Sequence, residues 1–584
     1  MKSNIIYNTA KVVMVALSLG AMTTACSDWD DHYDANSSFE GSATATLWQN
    51  ISANENLSEF AALAKKAGYD KVLDASQTYT VWAPVNGSFN YEELNNMDVE
   101  TLKKQFLQNH ISHFNYPASG SLDEKVFMIN EKMNTFKGNG TYEMSNVNVS
   151  QPNIKNSNGT LHILDGKLNF AFNIFETLSD KSYPIDSISN YFAKYDKKEL
   201  DVDNSVKGPV VDGQITYLDS VMTEYNSMSN TIGALINVED SNYTMILPTN
   251  EAWAQKKQMV DEFINYLPSY VYYENFPSSI TSVVDSINIP RREEIDNVYL
   301  ADSLSHLYLV RDLAFNNNLY DNSKLKTLQP GEDLKVDSLV STSGKRFFGD
   351  DINDLFKNAQ RVDRSNGAVW FTNSLGYKPW SFRMPVKIDA EYGNYRANTF
   401  NGITTSVFLN AANKNPEVPG SLSYGYLEVA PSTSTANVEV DYYLPQIHKG
   451  KYVMYLCVVP SHINKNTFNP SMKPNRLQVS VGYYEASGTG AALYGRYAEK
   501  TLARNLSNDP TKIDTLKIGE IDFPTSTAGL TNAFPYVRIQ NRITTSIADR
   551  YDRTLRIDYI LLIPSELDEY LKEHPDYKYQ YFDY

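Results

Sequence analysis

The side chains able to do chemistry in this sequence are few in kind and poorly clustered. Two cysteines occur, Cys26 and Cys457, too few for a disulfide framework or a cysteine-based zinc site. Cys457 lies in the apolar run YVMYLCVVP and reads as a buried, inert thiol. His110 shares one helical face with Leu102 and Phe106, and His162 alternates with Leu161, Ile163 and Leu164 in a strand-like run. His113 is three residues from His110, and none of these has a Cys or His at metal-ligand spacing. A hydrogen-bonded core role is therefore expected for the histidines, not a metal site. With 69 acidic residues a carboxylate pair for glycoside hydrolysis can always be imagined, so that observation decides nothing. No G-x-S-x-G, H-E-x-x-H or Walker loop is present, and no G-x-G-x-x-G stands in a βαβ setting. The Gly-rich Ser487–Gly495, SGTGAALYG, lacks the Lys-Ser/Thr of a phosphate loop and reads as a hairpin loop. No catalytic residue, metal ligand or cofactor is assigned, and the chain reads as non-enzymatic.

The chain of 584 residues is long enough for three or four domains. Its 42% hydrophobic and 12% aromatic content can bury real cores. The formal charge of −17, from 69 acidic against 52 basic residues, argues against a nucleic-acid partner, whose phosphates demand a basic surface. Tyrosine occurs 41 times. A ring face with a polar tip suits sugar or protein contacts, and it equally suits sandwich strands.

Residues 1–25 read as a secretory signal. Lys2 and Lys11 precede the apolar VVMVALSLGAM, which falls short of the ~20 residues a membrane-spanning helix needs. Thr23-Thr24-Ala25 before Cys26 resembles a bacterial lipobox, with Thr23 where Leu is usual, and the resemblance implies lipidation of Cys26. Residues 26–42 begin SDWDD after the cysteine and form an acidic tether. The tether is similar to the segment that sends Bacteroidetes-type lipoproteins to the outside of the outer membrane, which would be the anchor and the location.

Residues 43–170 start with a helical pattern through Leu47, Ile51, Leu57, Phe60 and Leu63, followed by the strand-like Thr78–Ala83. TVWAPVNGSF (Thr80–Phe89) resembles the first signature of the fasciclin, or FAS1, domain. FLQNHIS is similar to that family's His-containing central motif, and NSNGTLHILDGKL (Asn156–Leu168) to its second signature. The resemblance implies a β-sandwich or wedge edged by helices, without catalytic histidines. A second set follows in 171–384: Asn242–Trp253, with Pro248-Thr249-Asn250-Glu251-Ala252-Trp253, and Ser365–Phe371, with Trp370 in the histidine's place. Leu307–Asn317 would supply the central helix, Arg311-Asp312 replacing its Tyr-His. This segment resembles a diverged FAS1 copy, enlarged by polar insertions near 181–230 and 255–305.

Residues 385–566 break into strand-length pieces such as NVEVDYYL, RLQVSVGYY and LRIDYILLI, the pattern of an all-β sandwich. They resemble the galactose-binding-like jelly rolls found among carbohydrate-binding modules. Asp558 in the last strand is expected to be an ordinary hydrogen-bonded aspartate, the alternatives being to orient a turn or to hold a structural calcium. Tyr424, Tyr426, Tyr442, Tyr443, Tyr483 and Tyr484 are the candidate sugar platforms, of which alternation sends about half to the core. The tail, 567–584, alternates Tyr577, Tyr579 and Tyr581 with polar residues and reads as an edge strand, or as an arm docking on a partner.

The fold class expected is multidomain and mainly β with α+β: two FAS1-like domains and a jelly-roll-like sandwich. The function expected is binding at the cell surface, as an accessory subunit of a SusC/SusD-like outer-membrane uptake system for glycans or peptides. A stand-alone fasciclin-type adhesin for host or matrix polymers is the alternative, and a divergent glycosidase a third.

Overall fold

The computed structural model describes residues 42–202, 205–211, 213–220, 222–266, 297–396, 403–409, 414–464, 472–487, 494–529 and 534–578. Cys26, nearly all of the tether, and Tyr579 and Tyr581 lie outside the described residues. By its internal contacts the chain forms two units, residues 1–170 with 199–223, and residues 171–198 with 224–584.

The first unit is built on a seven-stranded sheet of β1 (Tyr79–Pro84), β2 (Ile111–His113), β3 (Ser121–Phe127), β4 (Met133–Asn139), β5 (Thr141–Met144), β6 (Val147–Asn156) and β7 (Gly159–Leu164), in the order β2-β1-β7-β6-β5-β4-β3. Only β1 and β7 run parallel. Every residue of β1 is buried because both sheet faces are covered. Val81 and Ala83 point into a core with Phe60, Leu63 and Phe106 from the helices, while Trp82 points into a second core with Phe136 and Met144. The insertion after residue 195 forms two two-stranded ribbons, β8 (Asp196–Leu200) with β11 (Met222–Asn226) and β9 (Val206–Val211) with β10 (Gln214–Asp219).

In the second unit the sheet β12 (Tyr243–Pro248), β13 (Ala314–Asn316), β16 (Gln360–Arg364) and β17 (Gly367–Thr372) has the order β13-β12-β17-β16, with a separate pair β14 (Ser338–Val340) and β15 (Arg346–Phe348). It repeats the first sheet's centre. A parallel pair starts at Tyr79↔Gly159 in one and at Tyr243↔Gly367 in the other. Both glycines are irreplaceable in place: at φ 147° and 140°, an added Cβ would lie 1.9 Å from the carbonyl oxygen of Tyr79 or Tyr243. The asparagine before each glycine does the same work. Asn158 accepts from the Leu47 amide and donates to the Leu73 and Ala75 carbonyls; Asn366 accepts from the Ile174 amide and donates to the Ile236 and Val238 carbonyls. The ladder also refines the expected correspondence. Thr80↔Ser112 and Thr244↔Phe315 place Leu313 at the position of His110 and Asp312 at that of Asn109, one residue from the alignment read in the sequence. Trp370 does stand where His162 stands, opposite Ile246 where the first sheet has Trp82. The bulky ring has changed strand.

The C-terminal sandwich of the same unit consists of β18 (Val386–Asp389), β19 (Ile403–Leu409), β20 (Gly425–Pro431), β21 (Glu439–Tyr443), β22 (Gly450–Val458), β23 (Leu477–Ser487), β24 (Tyr494–Leu506), β25 (Asp514–Phe523), β26 (Tyr536–Asn541) and β27 (Leu555–Pro564). One sheet runs β19-β20-β27-β22-β25 with β18 also on β27; the other runs β21-β26-β23-β24. Their facing residues, among them Val429, Leu456 and Ile560 against Val440, Val481 and Val537, form one core. The chain after Pro564 is not an edge strand where it is described. Ser565–Glu573 is a helix, because Leu567, Tyr570 and Leu571 recur at helical spacing and pack on Trp380. Tyr577 then accepts a hydrogen bond from the Trp380 indole at 3.1 Å and donates to Asp351.

Candidate binding site

His110 and His162 are structural. Both are fully buried, and each has both ring nitrogens engaged. In His110, Nδ1 donates to the Phe106 carbonyl at 2.7 Å and Nε2 accepts from the Leu168 amide at 2.9 Å. In His162, Nε2 donates to the Tyr116 carbonyl at 2.8 Å and Nδ1 accepts from the Asn153 amide at 3.2 Å, while the ring stacks on Trp82. Burial pulls each down to about 4, so both are neutral imidazoles held by one tautomer. Cys457 is buried, and burial with Asp558 alongside pushes its thiol up to about 12, far from a nucleophile.

Four of the six candidate tyrosines cannot present a ring face. Tyr426, Tyr442, Tyr443 and Tyr484 are buried. Tyr442 fills the inter-sheet core, and Tyr443 is covered on the other face of β21, so strand alternation exposes neither ring. Tyr426 lies under Phe408 with ring centroids 4.8 Å apart, its hydroxyl bonded to Asn464. Tyr483 is half-buried and packs edge-on against Phe523. Tyr424 is 52% exposed and remains.

Tyr424 gains a partner that the sequence reading missed. Tyr392, 48% exposed, sets its ring parallel to that of Tyr424, with centroids 6.4 Å apart and planes within 8°. Both rings stand on turns pinned by the sandwich. Asp558, on β27, accepts from the amide and hydroxyl of Ser423 at 3.0 and 2.6 Å, and Asp389 accepts from the same hydroxyl at 3.1 Å. That fixes the residue before Tyr424, and it is the turn-orienting role considered for Asp558. On the other side, the Ala390 amide donates to the Asp558 carbonyl, and a short 3₁₀ turn, Gly393–Tyr395, follows Tyr392. Between them Glu391 is only 4% exposed, and neither carboxylate oxygen has a hydrogen-bond partner. Burial, helped by Asp389 and Asp558, pushes it up to about 7. Among the described residues no group of three His, Cys, Asp or Glu is arranged to hold a metal ion. The arrangement offers two parallel, solvent-facing rings, with the Glu391 carboxylate buried out of a ligand's reach. It can stack a flat ligand. The signal for Tyr392 was its place in EYGNY, a Gly/Asn turn after a strand, where a tyrosine escapes the core.

Comparison with known proteins now bears on the first unit. Residues 55–169 match the fasciclin domain. The fasciclin fold expected for the N-terminal segment therefore stands over that range. Among solved structures, the FAS1 domain pair of the insect cell adhesion molecule fasciclin I is similar at 15% identity, covering 56% of this chain and 98% of that one, with a TM-score of 0.19. Over 31% of this chain there is likeness to the CBM22-2 xylan-binding domain of Paenibacillus barcinonensis Xyn10C, at 11% identity, 98% of that chain and a TM-score of 0.17. The CBM35 of Cellvibrio japonicus Abf62 is similar at 9% identity over 31% of this chain and 92% of that one, with a TM-score of 0.16. Likenesses at such TM-scores carry no argument about function, and the site rests on its own geometry. No curated protein matches the chain.

Proposed function

We propose that this is a non-enzymatic binding protein of the bacterial cell surface, anchored through Cys26, that takes a polysaccharide on the Tyr392–Tyr424 face. The parallel exposed rings carry the reading, because the C–H faces of sugars stack on aromatic rings. The matched fasciclin domain favours a contact role. A second fasciclin-type domain at 171–384 is supported by the repeated Asn-Gly hinge and parallel strand pair. The non-enzymatic reading rests on the lack of any catalytic motif in the sequence.

Two settings suit such a protein. As an accessory subunit of a SusC/SusD-like importer it would capture glycan or peptide for transport, a reading supported by the lipobox-like Thr23–Cys26 and the acidic tether. As an adhesin it would hold host or matrix polymers, which the fasciclin match favours. Gentle detergent extraction of the full chain from native outer membranes, followed by mass spectrometry, separates them. A stoichiometric β-barrel importer is expected for the first and the protein alone for the second. Hydrolysis of a bound polymer, abolished by one carboxylate substitution that preserves folding, would overturn the non-enzymatic reading.

A further inference from the structure

Phe114 stands in solvent in a backbone conformation that its residue type avoids. It is 71% exposed at a φ of 72°. The other non-glycine residues of the first unit at positive φ, among those described, are Glu131, Ser145, Asn146 and Asn153, all polar. A bulky ring adopts this conformation only where the surroundings impose it. Thr80, fully buried in β1, does so: its hydroxyl donates to the Phe114 carbonyl at 2.8 Å and accepts from the Tyr116 amide at 2.9 Å. The same end of the sheet receives the chain from the N-terminus. Ser42, where the described chain begins, accepts from the Asn50 side chain, which also donates to Asn156, the last residue of β6. The Ser157 amide donates to the Ala45 carbonyl. From there the pairs Asn156↔Gly159, Gly159↔Tyr79 and Tyr79↔His113 lead to the residue before Phe114 in three strand spacings, about 14 Å. Segments 42–50, 75–79, 113–118 and 156–160 meet at this end, and none holds an Asp, Glu, Lys or Arg, in a chain of net charge −17. Trp48 and Tyr116 are half-buried there.

We propose, resting on the anchoring through Cys26, that this end of the first unit lies against the bilayer, with the Phe114 ring at the boundary between headgroups and acyl chains. The tether selects the occupant. Residues 27–41 separate Cys26 from Ser42, a length that fully extended reaches no more than about 55 Å. The lipid surface is therefore always within reach of this end, at a high effective concentration, so even a weak contact is populated. An exposed ring rimmed by uncharged polar groups and further aromatics suits that boundary. The lack of charge lets an otherwise acidic chain rest on lipid without like-charge repulsion at the point of contact. The Thr80 hydroxyl holds the loop in the one conformation that turns the ring outward.

Fluorescence quenching of the full lipidated chain, in vesicles of phosphatidylcholine with brominated acyl chains, tests this. A bimane on Ser76→Cys, exposed at this end, should be quenched, whereas one on Val99→Cys, between Asp98 and Glu100, should not. Cys457 is buried and takes no label. Phe114→Asn removes the ring and sets at φ 72° a residue that favours it. It should melt no lower than the parent and weaken the contact read at position 76 about tenfold. Mass spectrometry of the mature chain reports the lipid separately. A chain without one is held on nickel-chelating lipid in the same vesicles by a histidine tag at residue 26, so the contact is read whether or not Cys26 is lipidated. Quenching absent at 76, equal at 76 and 99, or undiminished in Phe114→Asn overturns the proposal. A lower melting temperature in Phe114→Asn overturns it equally, because the ring would then be a packing element.

Discussion

Lowering the pH from 7 to 5 is expected to destabilise the fasciclin domain by about 4 kcal/mol through two histidines. Each is buried, neutral and saturated with hydrogen bonds, and each folded-state value is about 4 against an ordinary 6.5. The unfolded chain therefore binds more protons between those values. Stability is fully present above 6.5 and is lost as the pH falls from there toward 4. At pH 5 the linkage relation gives about 2 kcal/mol for each site, so about 4 for the pair. Hydrogen exchange of peptides covering β1 and β7, corrected for intrinsic rate, reads this locally, which matters because a chain of several cores does not unfold in one step. His162→Gln keeps a donor and an acceptor but no longer titrates, so its acid loss should halve to about 2 kcal/mol. Equal protection at both pH values would refute the reasoning, as would an undiminished acid loss in His162→Gln.

Asn366→Ala removes the acceptor for the Ile174 amide and the donor to the Ile236 and Val238 carbonyls, and should cost about 3 kcal/mol in a denaturant titration of the second unit. Asn158→Ala should cost a similar amount in the first unit, as the repeat requires. Glu391 has the opposite pH sign to the histidines. Its folded value near 7 lies above the ordinary 4.5, so its contribution is present below 4.5 and is lost as pH rises through 7. Glu391→Gln should therefore melt higher than the parent at pH 8, by about 1–2 kcal/mol in stability, and the gap should close at pH 5.

The sequence exposed the first domain well because its signatures are contiguous: strand, turn and Asn-Gly all stand in Thr80–Phe89 and Asn156–Leu168. The repeated parallel strand pair of the second unit was legible at Tyr243–Trp253 and Gly367, where the same backbone geometry demands the same residues. The correspondence slipped by one residue at Asp312–Leu313, where no histidine remained to fix the frame. The binding site was less legible. Alternation along β21 implies one ring per face, but it is silent on whether each face is covered, and at Tyr442 and Tyr443 both are. Tyrosines in turns, Tyr392 and Tyr424, are the ones left in solvent. The tail misled because tyrosines alternating beyond Pro575 outweighed the helical spacing of Leu567, Tyr570 and Leu571 just before them. The N-terminal reading, with Cys26, falls outside the described residues.

Affinity electrophoresis of the full chain against a panel of soluble plant, host and bacterial polysaccharides tests the central claim most directly. At least one polymer should retard the parent, and Tyr424→Ala and Tyr392→Ala should each weaken that binding about tenfold, ~1.4 kcal/mol, without changing the melting curve. Retardation that survives the double substitution would contradict a binding face at Tyr392 and Tyr424, and the absence of retardation by any polymer would contradict polysaccharide as the ligand.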